Sequence, residues 1–146
     1  FTGGFEANQD AKQVAVNVLD QDVDVIFPVG GPIYQSAQQA IKESGKDVAL
    51  IGADADLFET DPSTADVVLT SVLKAMDLST YEAVLASGKG EFDPETYIGT
   101  LENEGVGIAD LHNFADKVDS ALQDEVAQLQ QDIIDGTVTV NSYLSE

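Results

Sequence analysis

The sequence predicts an α/β fold with a mostly parallel sheet flanked by helices, and three observations carry that prediction. Short apolar runs alternate along the chain with amphipathic segments, the order produced by parallel strands joined through crossover helices. One of those runs, "DVIFPV", is apolar almost throughout, as a strand covered on both faces is. A length of 146 residues with a hydrophobic fraction of 43% is also enough for one real core.

The elements follow in order. "DAKQVAVNVLDQ" places Val14, Val18 and Leu19 on one helical face. "DVIFPV" reads as a strand buried on both sides, with Pro28 acceptable only near its end because proline has no N–H for the ladder. Gly30 and Gly31 then turn the chain into the helix "IYQSAQQAIKES", which Gly45 closes. "DVALIGAD" and "ADVVLTSVL" are the next strands. A helix is expected from Lys74 through Tyr81, Val84 and Leu85 to "SGKG". "ETYIGTLENEGVGIADL" suggests two short strands around a turn at Glu104-Gly105. In "FADKVDSALQDEVAQLQQDIIDG", Val118, Leu122, Val126, Leu129 and Ile133 recur at helical spacing, with Gly136 as the stop. That run has too few heptads for a coiled coil, so a helix packed on the sheet is expected. "TVTV" closes as a short strand.

Charge removes whole classes of partner. Asp and Glu number 27 against 6 Lys and no Arg, a formal net charge of −21. Nucleic acid and anionic membrane surfaces would be repelled. Such self-repulsion is tolerated best where salt screens it, which points to a high-salt or extracellular setting. The chain has no Cys, so disulfides and thiolate chemistry are absent, and its single His leaves little room for a metal cluster. No metal and no cofactor is expected. No apolar run reaches the length of a membrane span. The opening "FTGGFEAN" reads as though a strand had been cut before it, so a fragment or an isolated lobe of a mature protein is expected.

In open α/β sheets ligands bind beyond the carboxyl ends of the strands, which makes three positions informative. Gly30-Gly31 lets the backbone approach a ligand closely, although a tight strand-to-helix turn needs glycine in any case. Asp54 and Asp56 follow "ALIGA"; a carboxylate there can accept two hydroxyl hydrogen bonds from vicinal diol oxygens, or simply cap the next turn. "DADLFETD" has the acidic density of a calcium loop but misplaces its central Gly and closing Glu. Lys74 follows "VVLTSVL" directly and can donate to ligand oxygens beside Asp54, or stand as a surface lysine among acids. Phe5, in "GGFE", can stack on a flat ring or serve the core. A receiver-like phosphoacceptor is a rival, built on Asp54, Thr70, Ser71 and Lys74. It needs an acidic pair that "FTGGFEAN" supplies poorly. His112 has no obvious nucleophile to serve, and no G-x-S-x-G occurs.

Taken together and in order, "DVIFPVGG", "IGADAD", "VLTSVLKAMD", "ENEGVGIAD" and "IIDGTVTV" resemble the C-terminal half of the basic membrane protein family. Those proteins are substrate-binding lipoproteins of ABC transporters, known as purine-nucleoside receptors with a type I periplasmic-binding fold. The resemblance covers essentially the whole chain. It implies a single α/β lobe over residues 1–146, with 88–112 crossing to the other lobe. It implies that Phe5 flanks the base, that Gly30 or Gly31 lines the pocket, and that Asp54 and Lys74 hold the ribose. No reaction and no cofactor is implied. The partners would be a nucleoside and a membrane permease, at the extracellular face or in the periplasm, with a lipid anchor in the complete protein. The chain departs from the family at "GGPIYQ", where a Gly-Thr-Gly type turn is usual, and at "ADADLF", where a polar residue usually follows the second Asp. A sugar or small signalling ligand on the same fold is the alternative. If the piece stands alone, "TYIGTLENEGVGIADL" lacks its partner sheet and is expected either to pair with a second copy or to be disordered.

Overall fold

A computed structural model describes residues 1–141. The elements run α1 (Gln9–Leu19), β1 (Val25–Ile26), α2 (Tyr34–Ser44), β2 (Ala49–Asp54), α3 (Leu57–Thr60), β3 (Val68–Lys74), α4 (Met76–Lys89), β4 (Val106–Ile108) and α5 (Ser120–Ile134). The sheet has four strands in the order β1-β2-β3-β4. The β1–β2 and β2–β3 pairs are both parallel, as the alternation of strands and helices predicts.

Each early element has a local cause. Asn8 starts α1 by accepting the Ala11 N–H at 2.8 Å. The buried stripe of α1 is Ala11, Ala15 and Leu19, with Val14 and Val18 at its flanks. A single 3₁₀ turn, Gly31–Ile33, leads into α2, which ends on Gly45 in the left-handed region. The small residues Ala37 and Ala40 let α2 approach the core, where Ile41, Val48, Leu50, Leu57 and Val68 pack with Leu19 and Ile26.

The contacts divide the chain into two compact units: Phe1–Lys74 with Ile108–Phe114, and Ala75–Gly107 with the stretch from Ala115 onward. Among the described residues, every buried hydrophobic side chain lies between Ala11 and Val68, in the first unit.

Several expectations need correction. "DVIFPV" is not buried on both sides: the strand is only Val25–Ile26, and Val25, Phe27 and Val29 are exposed. Exposure alternates along the segment, with Ile26 buried between exposed Val25 and Phe27, so one face is covered and the other is not; β1 is also at the edge of the sheet. Lys74 is the last residue of β3 rather than the first of a helix, which begins at Met76. Where two strands were expected around Glu104-Gly105, only Val106–Ile108 is a strand. Asn103 explains the difference: its side chain accepts the Thr100 and Gly105 N–H groups at 2.8 and 3.0 Å and donates to the Ile98 carbonyl at 2.9 Å. A side chain that satisfies backbone groups in this way replaces a ladder. The expected pairing of this stretch with a second copy has no support, and no homodimer is proposed: β4 is the terminal strand of the chain's own sheet.

The long helix is α5, started by Asp119, so Val118 precedes it. It is not packed as expected: neither α4 nor α5 has a fully buried residue. "TVTV" is not a strand; the Val138 N–H bonds to the Asp132 carbonyl at 3.0 Å, folding the chain back onto the end of α5.

Candidate functional site

The parallel register brings the carboxyl ends of β2 and β3 to one side of the sheet. Asp54 pairs with Leu73, and Lys74 is the next residue along. The Lys74 Nζ lies 3.0 Å from Asp54 Oδ1, with the two side chains 62% and 48% exposed. The pair therefore keeps open directions for further hydrogen bonds, since an ammonium has three donors and a carboxylate about four acceptor sites.

Asp54 is held in the left-handed region at φ 69°, which is uncommon for a residue with a Cβ. The Ala55 N–H bonds to the Ala53 carbonyl at 2.9 Å, so the strand ends in a very tight turn. Close packing behind the turn fixes it. The buried Ser71 Oγ accepts the Leu57 N–H at 3.1 Å, which ties α3 to β3. A Cβ on Gly52 would collide with Ser71 Oγ and come within 2.8 Å of Leu57 Cγ. Only glycine lets α3 sit this close, and α3 sets where Asp54 and Asp56 emerge.

A second pair forms at the end of β1. Gly30 and Gly31 have φ of 134° and 49°, both favourable only for glycine. A Cβ on Gly30 would come within 2.6 Å of Phe5 Cδ1, so the Phe5 ring rests against the glycine backbone while remaining 69% exposed. β1 and β2 pair at Ile26 and Leu50; Gly30 is four residues beyond the first and Asp54 four beyond the second. Thus Phe5 meets Gly30-Gly31, Asp54 meets Lys74, and both pairs belong to carboxyl ends of neighbouring parallel strands.

The turn after Gly31 is anchored as well. The Tyr34 hydroxyl donates to Asp61 Oδ2 at 2.9 Å. Burial, more than any other cause, pushes the Tyr34 phenol up from its ordinary value. Asp61 is held below the usual carboxylate range, first by the Ser63 hydroxyl hydrogen bond. Two acids of "DADLFETD" serve as caps: Asp56 caps α3 through the Phe58 N–H, and Asp61 caps the following 3₁₀ turn through the Ser63 N–H. Among the described residues, no group of three or more His, Asp or Glu could hold a metal ion.

One cluster escapes sequence reasoning. His112 Nε2 lies 2.7 Å from Asp56 Oδ2, and the His112 ring stacks on Phe58 with centroids 4.0 Å apart and planes 5° from parallel. The partners are 56 residues apart in sequence. The only signal was that His112 is the chain's single histidine.

Comparison with known proteins gives a consistent picture. The Bmp family, ABC transporter substrate-binding protein PnrA-like, matches residues 1–143. The ABC transporter nucleoside-binding protein BmpA of Lactococcus lactis subsp. cremoris (strain MG1363) is 26% identical over 97% of this chain and 43% of its own length. An ABC transporter solute-binding protein of Aeropyrum pernix K1 superposes with a TM-score of 0.79 at 24% identity, over 97% of this chain and 47% of that one. A structure from Bacillus halodurans titled as a transcriptional activator of the comK gene gives 0.78 at 17% identity, with the same coverage of 97% and 47%. The two structures carry different printed roles on one fold, so their likeness establishes the fold and not the ligand. The chain spans less than half the length of these relatives.

Proposed function

The chain belongs to the Bmp family of PnrA-like ABC transporter substrate-binding proteins, and from that premise we propose that its strand-end site holds a nucleoside of the purine class, whose larger ring offers more area for stacking. The carrying observation is the half-exposed Asp54–Lys74 pair, 3.0 Å apart at the ends of adjacent parallel strands. Asp54 accepts the two hydroxyls of the ribose diol, and Lys74 donates to the same oxygens. Phe5, braced by the Gly30 backbone, offers its exposed ring face to the base. An exposed ion pair adds about 0–1 kcal/mol to stability, so the strained turn that presents Asp54 is better explained by recognition than by folding. The naming of the Lactococcus lactis relative as nucleoside-binding supports the same reading.

In this account the chain is the C-terminal half of a longer two-lobed protein. Residues 88–112 carry the chain between lobes, and the apolar faces of α4 and α5 meet parts of the protein outside this stretch. Closure on the ligand is a population shift, and no bond is made or broken. The loaded receptor delivers the nucleoside to a membrane permease from the extracytoplasmic side, held there by a lipid anchor.

The test is calorimetric titration of the complete protein. A purine nucleoside should bind far more tightly than its free base. Lys74→Met should cost about 1.5–3 kcal/mol of nucleoside affinity, the range for hydrogen bonds to charged groups. Equal affinity for base and nucleoside, or unchanged affinity in Lys74→Met, would contradict the assignment.

A further inference from the structure

The His112 cluster lies outside the nucleoside contacts just proposed, and its surroundings give it a specific task. Ile108–Phe114 belongs to the first unit, although the residues on both sides of it belong to the second. At least four contacts fasten this short return strap. The Ala109 N–H bonds to the Ser71 carbonyl at 2.8 Å, and Thr70 Oγ1 donates to the Ala109 carbonyl at 2.7 Å. Asn113 Nδ2 donates to the Ala65 carbonyl at 3.1 Å. The fourth fastening is His112 on Asp56, whose side chains are only 17% and 22% exposed.

The fourth contact differs from the others in what it touches. Asp56 uses Oδ1 to accept the Phe58 N–H at 3.0 Å and Oδ2 for His112, so one carboxylate joins the strap to the start of α3. Phe58, the residue whose N–H is capped, is also the ring on which His112 stacks. Asp56 is separated from Asp54 by Ala55 alone, within the tight turn that the Ala55 N–H closes. His112 itself is held at φ 44°, so two non-glycine residues in left-handed conformations, Asp54 and His112, lie at the two ends of this connection. Strained positions of this kind persist only where surrounding contacts determine them.

We propose that His112 is a positioning residue: by closing on Asp56 and stacking on Phe58, it ties the Ile108–Phe114 strap to the turn that presents Asp54. The effect on ligand rests on the nucleoside reading above; the tie itself does not. The partners of His112 are Asp56 and Phe58, neither of which is assigned to the nucleoside. Its influence passes through Asp56 and the turn.

Two variants separate the elements of the tie. His112→Phe keeps a ring against Phe58 and loses the hydrogen bond, while His112→Gln keeps a donor and loses the stack. In the 146-residue chain, His112→Phe should speed hydrogen exchange at the Ala55 and Phe58 amides, with Ile51 in β2 unchanged and His112→Gln restoring much of the protection. Unaltered exchange at both amides in His112→Phe overturns the tie. In the complete protein, His112→Phe should weaken nucleoside binding by at least about fivefold. In an Asp54→Asn background the same change should add almost nothing, because its route to the ligand is already gone. An equal loss in both backgrounds would mean a general structural role and would overturn the positioning claim. If the unaltered complete protein binds no nucleoside, the functional reading fails, and the exchange result still decides whether the tie exists.

Discussion

The two units of this chain solve the burial problem differently. In the first, Leu19, Leu50 and Val68 are at most 2% exposed, and the strand ends stand on a closed core. In the second, α4 and α5 carry Tyr81, Val84, Leu85, Leu122 and Leu129 at helical spacing, and all five are at least 40% exposed. Apolar periodicity is therefore present in both, while among the described residues buried hydrophobic side chains are present only in the first. The pattern specifies which face of a helix needs covering and is silent on whether this stretch of chain supplies the cover. Stability and the candidate site both reside in the first unit.

The largest expected effect comes from deleting the same methyl groups in the two places. Leu50→Ala should destabilise the first unit by about 2–5 kcal/mol, because a fully buried Leu leaves a cavity. Leu129→Ala in this chain should stay within about 0.5 kcal/mol, as exposed substitutions do. Chemical denaturation of both variants checks this, and similar losses would break the contrast.

Glycine substitutions sharpen the comparison by reversing its sign. Gly52→Ala must displace Ser71 or Leu57 and should cost about 1–3 kcal/mol. Gly88 lies within α4 and has nothing within 4 Å of a built Cβ, so Gly88→Ala should stabilise that helix by up to about 1 kcal/mol. Thermal melts and helical circular dichroism report the two signs.

The smallest effect is electrostatic and confined to the first unit. Because the Asp61 carboxyl is held below its ordinary value in the folded state, it contributes stability above the unfolded carboxylate range. That contribution should fade as pH falls through the lowered folded value. Asp61→Asn should flatten this part of the acid limb, measured as denaturation midpoints from neutral pH downward. An identical acid limb in the variant would remove Asp61 from the account.

Much of the first unit was legible. The alternation of apolar runs and amphipathic segments yields the parallel strands. Gly45 stops α2 where expected, and Asp54 ends its strand as expected, while Lys74 ends β3 instead of opening a helix. What failed to show has physical reasons. "DVIFPV" has the composition of a central strand, yet sheet order, which no local pattern encodes, puts it at an edge. The turn built by Asn103 was hidden because one amide side chain outweighs the strand preference of its neighbours. The Asp56–His112 contact joins residues far apart in sequence, and nothing at either position announces the other.

Hydrogen exchange by amide position, on this chain and on the complete protein, tests most directly the claim that one unit is self-supporting and the other is completed elsewhere. The account predicts that amides of β2 and β3 exchange slowest in both samples. Amides of α4 and α5 should exchange quickly in the isolated chain and slow markedly in the complete protein. If α5 is already as protected as β2 in the isolated chain, the second unit needs no further cover and the account is contradicted.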